Sequence, residues 1–281
     1  MAQDRITISV LAAALILSIA CTRSNEVTTS PSTPDSSTTT SSTPTTIPNT
    51  SSTTTAAEAV APRVLVFSET AGFRHDSIPA GIAAIRSLGD EQDFDVMASE
   101  DSSEFESREL TNYDVVVFLS TTGDILATTE EAAFEEFVRS GGGFVGIHSA
   151  TDTEYDWEWY AGLVGTYFAD HPAVQPATVR STESGHPAGD GLPLSFVRTD
   201  EWYNFRSVPG PEVIVLAMLD ETTYEGGTMG PDHAIAWAQE YDGGRSFYTA
   251  GGHTIESYSE PVFRDHIATG ILWAAGSGSD S

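Results

Sequence analysis

The chain has 281 residues, 41 of them acidic and 12 basic, for a formal net charge of −29. Every basic residue is Arg, and a surface this acidic argues strongly against nucleic-acid binding, which needs a positive face. The single cysteine, Cys21, leaves no thiol for a disulfide or a nucleophile in the rest of the chain.

Residues 6–20 form a mostly apolar run of 15 that stops at Cys21. That is short of the roughly 20 residues a membrane-spanning helix needs, and it fits the core of a signal peptide with Arg5 as its positive flank. Ile19-Ala20-Cys21 resembles the end of a bacterial lipobox, although Ser18 stands where that motif usually has Leu. The expectation is a lipoprotein-type signal peptide over 1–21, lipidated at Cys21, and an extracytoplasmic domain anchored to the membrane. An uncleaved anchor is the alternative. Residues 22–61 are dominated by Ser, Thr and Pro and bury too little apolar surface to offset their ordering entropy, so they read as a disordered tether. One globular domain is expected over 62–276, followed by a short tail at 277–281.

The domain opens with the apolar run Arg63 to Ser68, the pattern of a central buried strand. Ser77 is placed to cap a helix with Pro79 in its first turn and Ile78, Ile82 and Ile85 along one face. Strands follow at Phe94–Ala98 and Asp114–Ser120. Thr128 and Glu131 read as a capping box for a helix through Phe134, Phe137 and Val138. Glycines 141–143 end that helix and lead into the buried strand Phe144–Ile147, whose Gly146 lets another backbone pass close by. Four strands separated by helices predict a parallel, doubly wound α/β sheet in three layers. Further strands are expected at Ala177–Arg180, Ser195–Arg198, Val213–Leu219, Ala234–Gln239 and Ser246–Ala250, and Pro261 opens a last helix.

His148 and Ser149 fall where the Gly-rich strand ends. In open α/β sheets the ligand crevice lies at the carboxyl edge of the strands, which makes this turn the first candidate site.

Four phrases together resemble the ThuA-like (trehalose-utilisation) family: Gly-Ile-His-Ser-Ala-Thr-Asp-Thr at 146–153, Arg-Thr-Asp-Glu-Trp-Tyr-Asn-Phe at 198–205, Gly-Gly-Arg-Ser-Phe-Tyr-Thr at 243–249 and Gly-Gly-His-Thr-Ile-Glu-Ser-Tyr at 251–258. The resemblance implies a flavodoxin-like, class I glutamine-amidotransferase-like sheet, mainly parallel in an α/β/α arrangement, and an association with sugar metabolism. In that wider superfamily a cysteine nucleophile occupies the turn after this strand and a later His-x-Glu pair completes a triad. Here His148 stands at the turn and His253 with Glu256 resembles the later pair. With no thiol in the domain, thiolate-dependent glutaminase chemistry is excluded.

His148 and His253 are therefore the expected acid–base pair, with Glu256 orienting His253 and Ser149 as a less favoured nucleophile. His75, in the loop after the first strand, faces the same crevice. No organic cofactor is called for; three imidazoles with an open position would suit a divalent metal such as zinc, although no His-x-His or HExxH spacing points to one. Asp200 to Phe205 offers carboxylates, an amide and aromatic faces, a surface suited to sugar hydroxyls and C–H faces. Expected substrate contacts are His75, Ser149, Asp152, Glu201, Trp202, Tyr203, Asn204 and His233. His171, in a His-Pro loop, follows the helix after the elbow; His186 reads as an exposed loop residue and His266 as structural. Two functions stay open: conversion of a small saccharide or keto-sugar by hydrolysis, isomerisation or elimination, and a non-catalytic carbohydrate-binding or surface-interaction module.

Overall fold

The computed structural model describes residues 60–277, so the expected signal peptide, lipidated Cys21, nearly all of the tether and the last four residues lie outside the described residues. Strand β1 (Arg63–Phe67) has four of its five residues buried, as a central strand requires. The helix that follows, α1 (Ile78–Gln92), buries Ile78, Ile85 and Leu88 along one stripe and ends at Asp93 in a left-handed conformation. Ser77 holds the N-cap position without capping. Its hydroxyl donates instead to the carbonyl of Gly252 at 2.9 Å, joining two distant loops.

Strand β2 (Asp95–Ser99), the short helix α2 (Ser107–Leu110) and strand β3 (Val115–Leu119) come next. In α3 (Thr128–Arg139) the cap is shifted by one residue from the Thr128–Glu131 expectation. Thr128 is the first helical residue, and the Ala127 N–H donates to Glu130 Oε2 at 2.8 Å. A carboxylate at that position satisfies an orphan amide and complements the positive end of the helix dipole.

Strand β4 (Gly143–Ile147) is wholly buried. The remaining elements are α4 (Glu158–Val164), β5 (Phe168–Asp170), β6 (Gln175–Ser181), β7 (Ser195–Asp200), β8 (Asn204–Phe205), β9 (Ile214–Asp220), β10 (Ala234–Tyr241), β11 (Gly244–Thr249) and α5 (Pro261–Ala274). Nine strands form one sheet in the order β2-β1-β3-β4-β11-β10-β9-β6-β7, while β5 and β8 make a separate two-stranded ribbon.

From β2 to β11 the neighbours run parallel, and from β11 to β7 they alternate antiparallel. The alternation points β7 the same way as β11, so the chain leaves both strands at one edge. Leu119, Ile147 and Thr249 are in register, and Phe67 pairs with Phe118. Hence the loops after β1, β3, β4, β11 and β7 all emerge together. Gly146 lies between Phe118 and Tyr248, and a Cβ there would meet the Tyr248 ring at 3.0 Å. The close neighbour is thus an aromatic ring, not the backbone that the sequence suggested.

Behind that edge, Phe67, Phe105, Phe118, Phe134 and Phe144 are fully buried and pack edge-on or stacked. Each contributes roughly 1.5–3 kcal/mol by leaving water, a rigid base for the loops above. Helices α1 and α5 pack on each other and on the sheet, and α2 packs on α3.

Candidate functional site

His148 is the first residue after β4 and is fully buried, with φ at 55°. That left-handed conformation is uncommon for a residue with a Cβ and turns the ring back over the sheet edge. Its Nδ1 lies 2.9 Å from the carbonyl oxygen of Ala250, so Nδ1 carries the proton and donates it. The lone pair of the neutral ring is then on Nε2.

Four groups crowd this nitrogen. His75 Nε2 lies at 3.2 Å, the Tyr203 hydroxyl at 3.0 Å, His253 Nδ1 at 3.3 Å and Glu201 Oε2 at 3.6 Å. They arrive on three loops at the common sheet edge: His75 after β1, Glu201 and Tyr203 after β7, His253 after β11. The convergence of His75, His148 and His253 expected from the sequence is met by the geometry, and Glu201 and Tyr203 join them.

The electrostatics favour neutral imidazoles at the centre. Burial lowers His75 to about 4, with the nearby His253 adding to the effect. Burial likewise holds His148 well below its ordinary value, and His75 acts in the same direction. His253 is raised, chiefly through its hydrogen bond to Glu201, with the Glu201 charge adding to it. Burial places Tyr203 well above the usual phenol range, so it stays a hydroxyl.

The donor set fits a divalent transition metal. His148 Nδ1 donates to a carbonyl, which turns its Nε2 lone pair toward His75 Nε2, while the Ser149 hydroxyl 3.4 Å from His75 Nδ1 can donate or accept there. Two lone pairs at that distance repel unless a proton or a cation lies between them. Four ligands placed tetrahedrally at zinc–nitrogen bond lengths would stand roughly 3.3 Å apart. Four of the six separations among these atoms are close to that figure: 3.2 Å for His75–His148, 3.3 Å for His148–His253, 3.0 Å for His253–Glu201 and 3.6 Å for His148–Glu201. All four ligand atoms lie within 4.8 Å of one another. The Ala250 carbonyl, which fixes the tautomer of His148, is an outer partner of the kind that metal-binding histidines have.

Glu201 reaches further. Its second oxygen, Oε1, lies 3.0 Å from Nδ1 of His171, whose side chain is 41% exposed. The same Nδ1 is 3.0 Å from the Pro172 carbonyl, so Nδ1 holds a proton. The sequence did not single out His171 as a site residue, and only its position after the elbow helix hinted at it. The strand that delivers it, β5, is three residues long and too short to show a period.

Several expected contacts lie elsewhere. Glu256 begins a tight 3-10 turn and is exposed, and Glu201 takes the place beside His253 that was expected for it. Trp202 is fully buried, with its indole N–H on the Gln175 carbonyl, so it offers no face to a sugar. Asn204 donates to Asp170 and the Gly226 carbonyl and accepts from the Thr228 N–H, which commits its amide to pinning the loop after β9. His233 is buried behind the site; Glu221 and Tyr224 flank its Nδ1, and its Nε2–H donates to the Tyr203 carbonyl. It supports Tyr203 from below and does not reach the crevice. Ser149 is buried under His75, and Asp152 accepts a hydrogen bond from Tyr155. Neither side chain leads into the mouth as a free group. Phe73 is 66% exposed with its ring edge-on to His75 at 4.9 Å, and Ile255, two residues beyond His253 in the chain, is 54% exposed.

The family model ThuA, trehalose utilisation, matches residues 63–274. A ThuA-like protein of Bacteroides uniformis superposes with a TM-score of 0.66 at 24% identity, over 78% of this chain and 94% of that one. A ThuA-like protein of Parabacteroides merdae gives 0.64 at 18% identity, over 79% and 92%. A cytoplasmic protein of Salmonella typhimurium gives 0.53 at 13% identity, over 75% and 98%. No curated protein matches the chain.

Proposed function

The chain belongs to the ThuA family, and we propose that it is a metal-dependent enzyme acting on a saccharide or keto-sugar at the edge of a three-layer, flavodoxin-like sheet. His75, His148, His253 and Glu201 would hold a divalent transition metal such as zinc. The observation that carries the reading is the convergence of four donor atoms from four separate loops, all within 4.8 Å of one another, with the His148 Nε2 lone pair turned inward by the Ala250 carbonyl. A bound divalent ion would polarise a sugar hydroxyl or carbonyl and make water on it acidic enough to react near neutral pH.

The protein's own part is to position groups and move a proton. His148 has its Nδ1 proton committed to the Ala250 carbonyl and no exposure, so it would serve as a ligand and not as the proton carrier that its sequence position suggested. That role passes to His171. Its Nδ1–H is held by Glu201 and Pro172, and Nε2 is left to accept a proton from a substrate hydroxyl and return it to a leaving oxygen. Tyr203 packs its ring 4.3 Å from that of His148 and offers a hydroxyl that stays protonated, a donor for a developing negative charge. Phe73 and Ile255 give the mouth an apolar rim that suits the C–H face of a pyranose.

A binding module without turnover is the second reading. It is favoured by the burial of Ser149, the hydroxyl that the sequence offered as a nucleophile. Full-length protein, loaded with zinc or stripped by a chelator, should be incubated with disaccharides and 3-keto-sugars. Metal-dependent product formation supports the enzyme; binding with no product under either condition supports the module.

The same reading places the domain outside the cytoplasm, tethered through lipid on Cys21. Cys21→Ser should then release the protein from the membrane fraction, and unchanged fractionation would remove the anchor.

A further inference from the structure

We infer that Asp200 is the positioning residue of this centre, a buried carboxylate that fixes Glu201 and His253 relative to one another. The inference rests on the metal-site reading above and names a residue that touches neither substrate nor ion.

Asp200 ends β7 and is fully buried. Its Oδ1 accepts two backbone N–H groups, that of Glu201 at 2.9 Å and that of His253 at 3.0 Å. One oxygen thus grips the main chain of two proposed ligands whose loops leave different strands. Its Oδ2 accepts the Gly252 N–H at 2.8 Å and the Ser257 hydroxyl at 3.0 Å, and lies 2.9 Å from Arg198 Nη2. A buried carboxylate is costly unless paired and fully hydrogen-bonded, and here both conditions hold.

The surroundings are shaped for this contact. Arg198 is fixed from its far side by Glu260, whose Oε2 accepts Nε–H at 2.9 Å, and its guanidinium stacks 4.2 Å from the Phe263 ring. A Cβ on Gly251 would fall 2.2 Å from Arg198 Nη1, and one on Gly252 would fall 2.7 Å from the Tyr258 hydroxyl. Glycines at both positions let the backbone press onto the carboxylate, which gives a physical reason for Gly-Gly before His253.

The segment 250–253 then serves as a frame for all four ligands. Ala250 accepts from His148, the Gly252 carbonyl accepts from Ser77 in the His75 loop, and Gly252 and His253 donate to the carboxylate that also holds Glu201. Asp200 joins β7, at the far edge of the sheet, to that frame. Outer-shell groups of this kind tune affinity through geometry, because ligands free to spread bind an ion less tightly.

The test compares full-length wild type with Asp200→Asn, measuring zinc affinity by chelator competition and the visible spectrum of the cobalt(II) form. The asparagine keeps the shape but can no longer accept at both oxygens. Affinity should fall roughly 10–100-fold, with a shifted cobalt band and one ion still bound per chain. If that variant does not fold, Ser257→Ala removes one hydrogen bond to Oδ2 and should weaken zinc about fivefold. As a control, Phe134→Leu, at a core position of α3 away from Asp200 and the proposed ligands, should lower thermal stability while leaving zinc affinity unchanged. Wild-type affinity and spectrum in folded Asp200→Asn, or in Ser257→Ala where only that variant folds, would overturn the inference while the metal site stands. Failure of the wild type to bind zinc or cobalt would overturn both.

Discussion

His171 Nδ1 lies 3.0 Å from Glu201 Oε1, while the other oxygen of the same carboxylate faces the buried imidazoles. One side chain therefore separates the inner imidazole cluster, the proposed metal ligands, from a half-exposed imidazole. Removing the imidazole should spare the first and disable the second. His171→Ala is expected to keep its metal and lower kcat by about 10²–10⁴, the usual contribution of a positioned acid–base group, with a smaller effect on KM. Metal analysis alongside steady-state kinetics checks this; metal loss in the variant would instead make His171 a ligand.

The two glutamates near His253 should behave oppositely. Glu201→Gln keeps the volume but removes the charge 3.0 Å from His253, and should weaken the metal and reduce turnover by at least about tenfold. Glu256→Gln changes an exposed side chain and should match the wild type in stability to within about 0.5 kcal/mol and in activity. Parallel assays of the two variants decide which carboxylate serves the site.

Acid stability carries a signature away from the site. His266 is buried against Phe247, its Nδ1 has no hydrogen-bond partner among the described residues, and burial pushes it down to about 3, with Arg198 adding to the effect. A depressed histidine binds protons more readily when unfolded, so its stabilising contribution is full above about pH 6.5 and is lost as pH falls toward 3. His266→Leu should therefore lose about 2–3 kcal/mol less stability than wild type between pH 6.5 and 4. Urea unfolding at the two pH values measures the difference, and equal losses would contradict the assignment.

Glu154 has the opposite sign. It is almost fully buried, and its Oε1 accepts the N–H groups of Ile125 and Leu126, both at 2.9 Å. Burial raises it to about 7, and the charges of Asp124 and Glu131 add to this against those two hydrogen bonds. A carboxyl raised above its unfolded value of 4.5 favours the fold while protonated, and that advantage is lost as pH rises from about 4.5 through 7. Glu154→Gln preserves the acceptor and removes the charge. It should flatten this decline and gain about 1–3 kcal/mol over wild type at pH 8, seen by denaturant titration.

The sequence revealed much of this arrangement, with losses that have physical causes. His148 was legible because a glycine-rich buried strand must deliver its next residue to the crevice edge, and His75 followed from the same rule applied to β1. The carboxylate partner was misplaced because His253 and Glu256 have a plausible spacing, yet a 3-10 turn carries Glu256 outward. Trp202 and Asn204 looked like a sugar-binding surface because one sequence cannot show that an indole faces the core or that an amide is already satisfied. Strands β6, β7, β9, β10 and β11 were readable as strands, but their order was not. That order is what turns β7 toward the β11 edge and brings Glu201 to His253.

X-ray absorption at the zinc edge, on full-length protein reconstituted with one equivalent, tests the metal centre most directly. A four-coordinate ion with three imidazole nitrogens and a carboxylate oxygen at about 2.0–2.1 Å is expected, lost in His148→Asn. A first shell made of water oxygens, or the same spectrum in that variant, would contradict it.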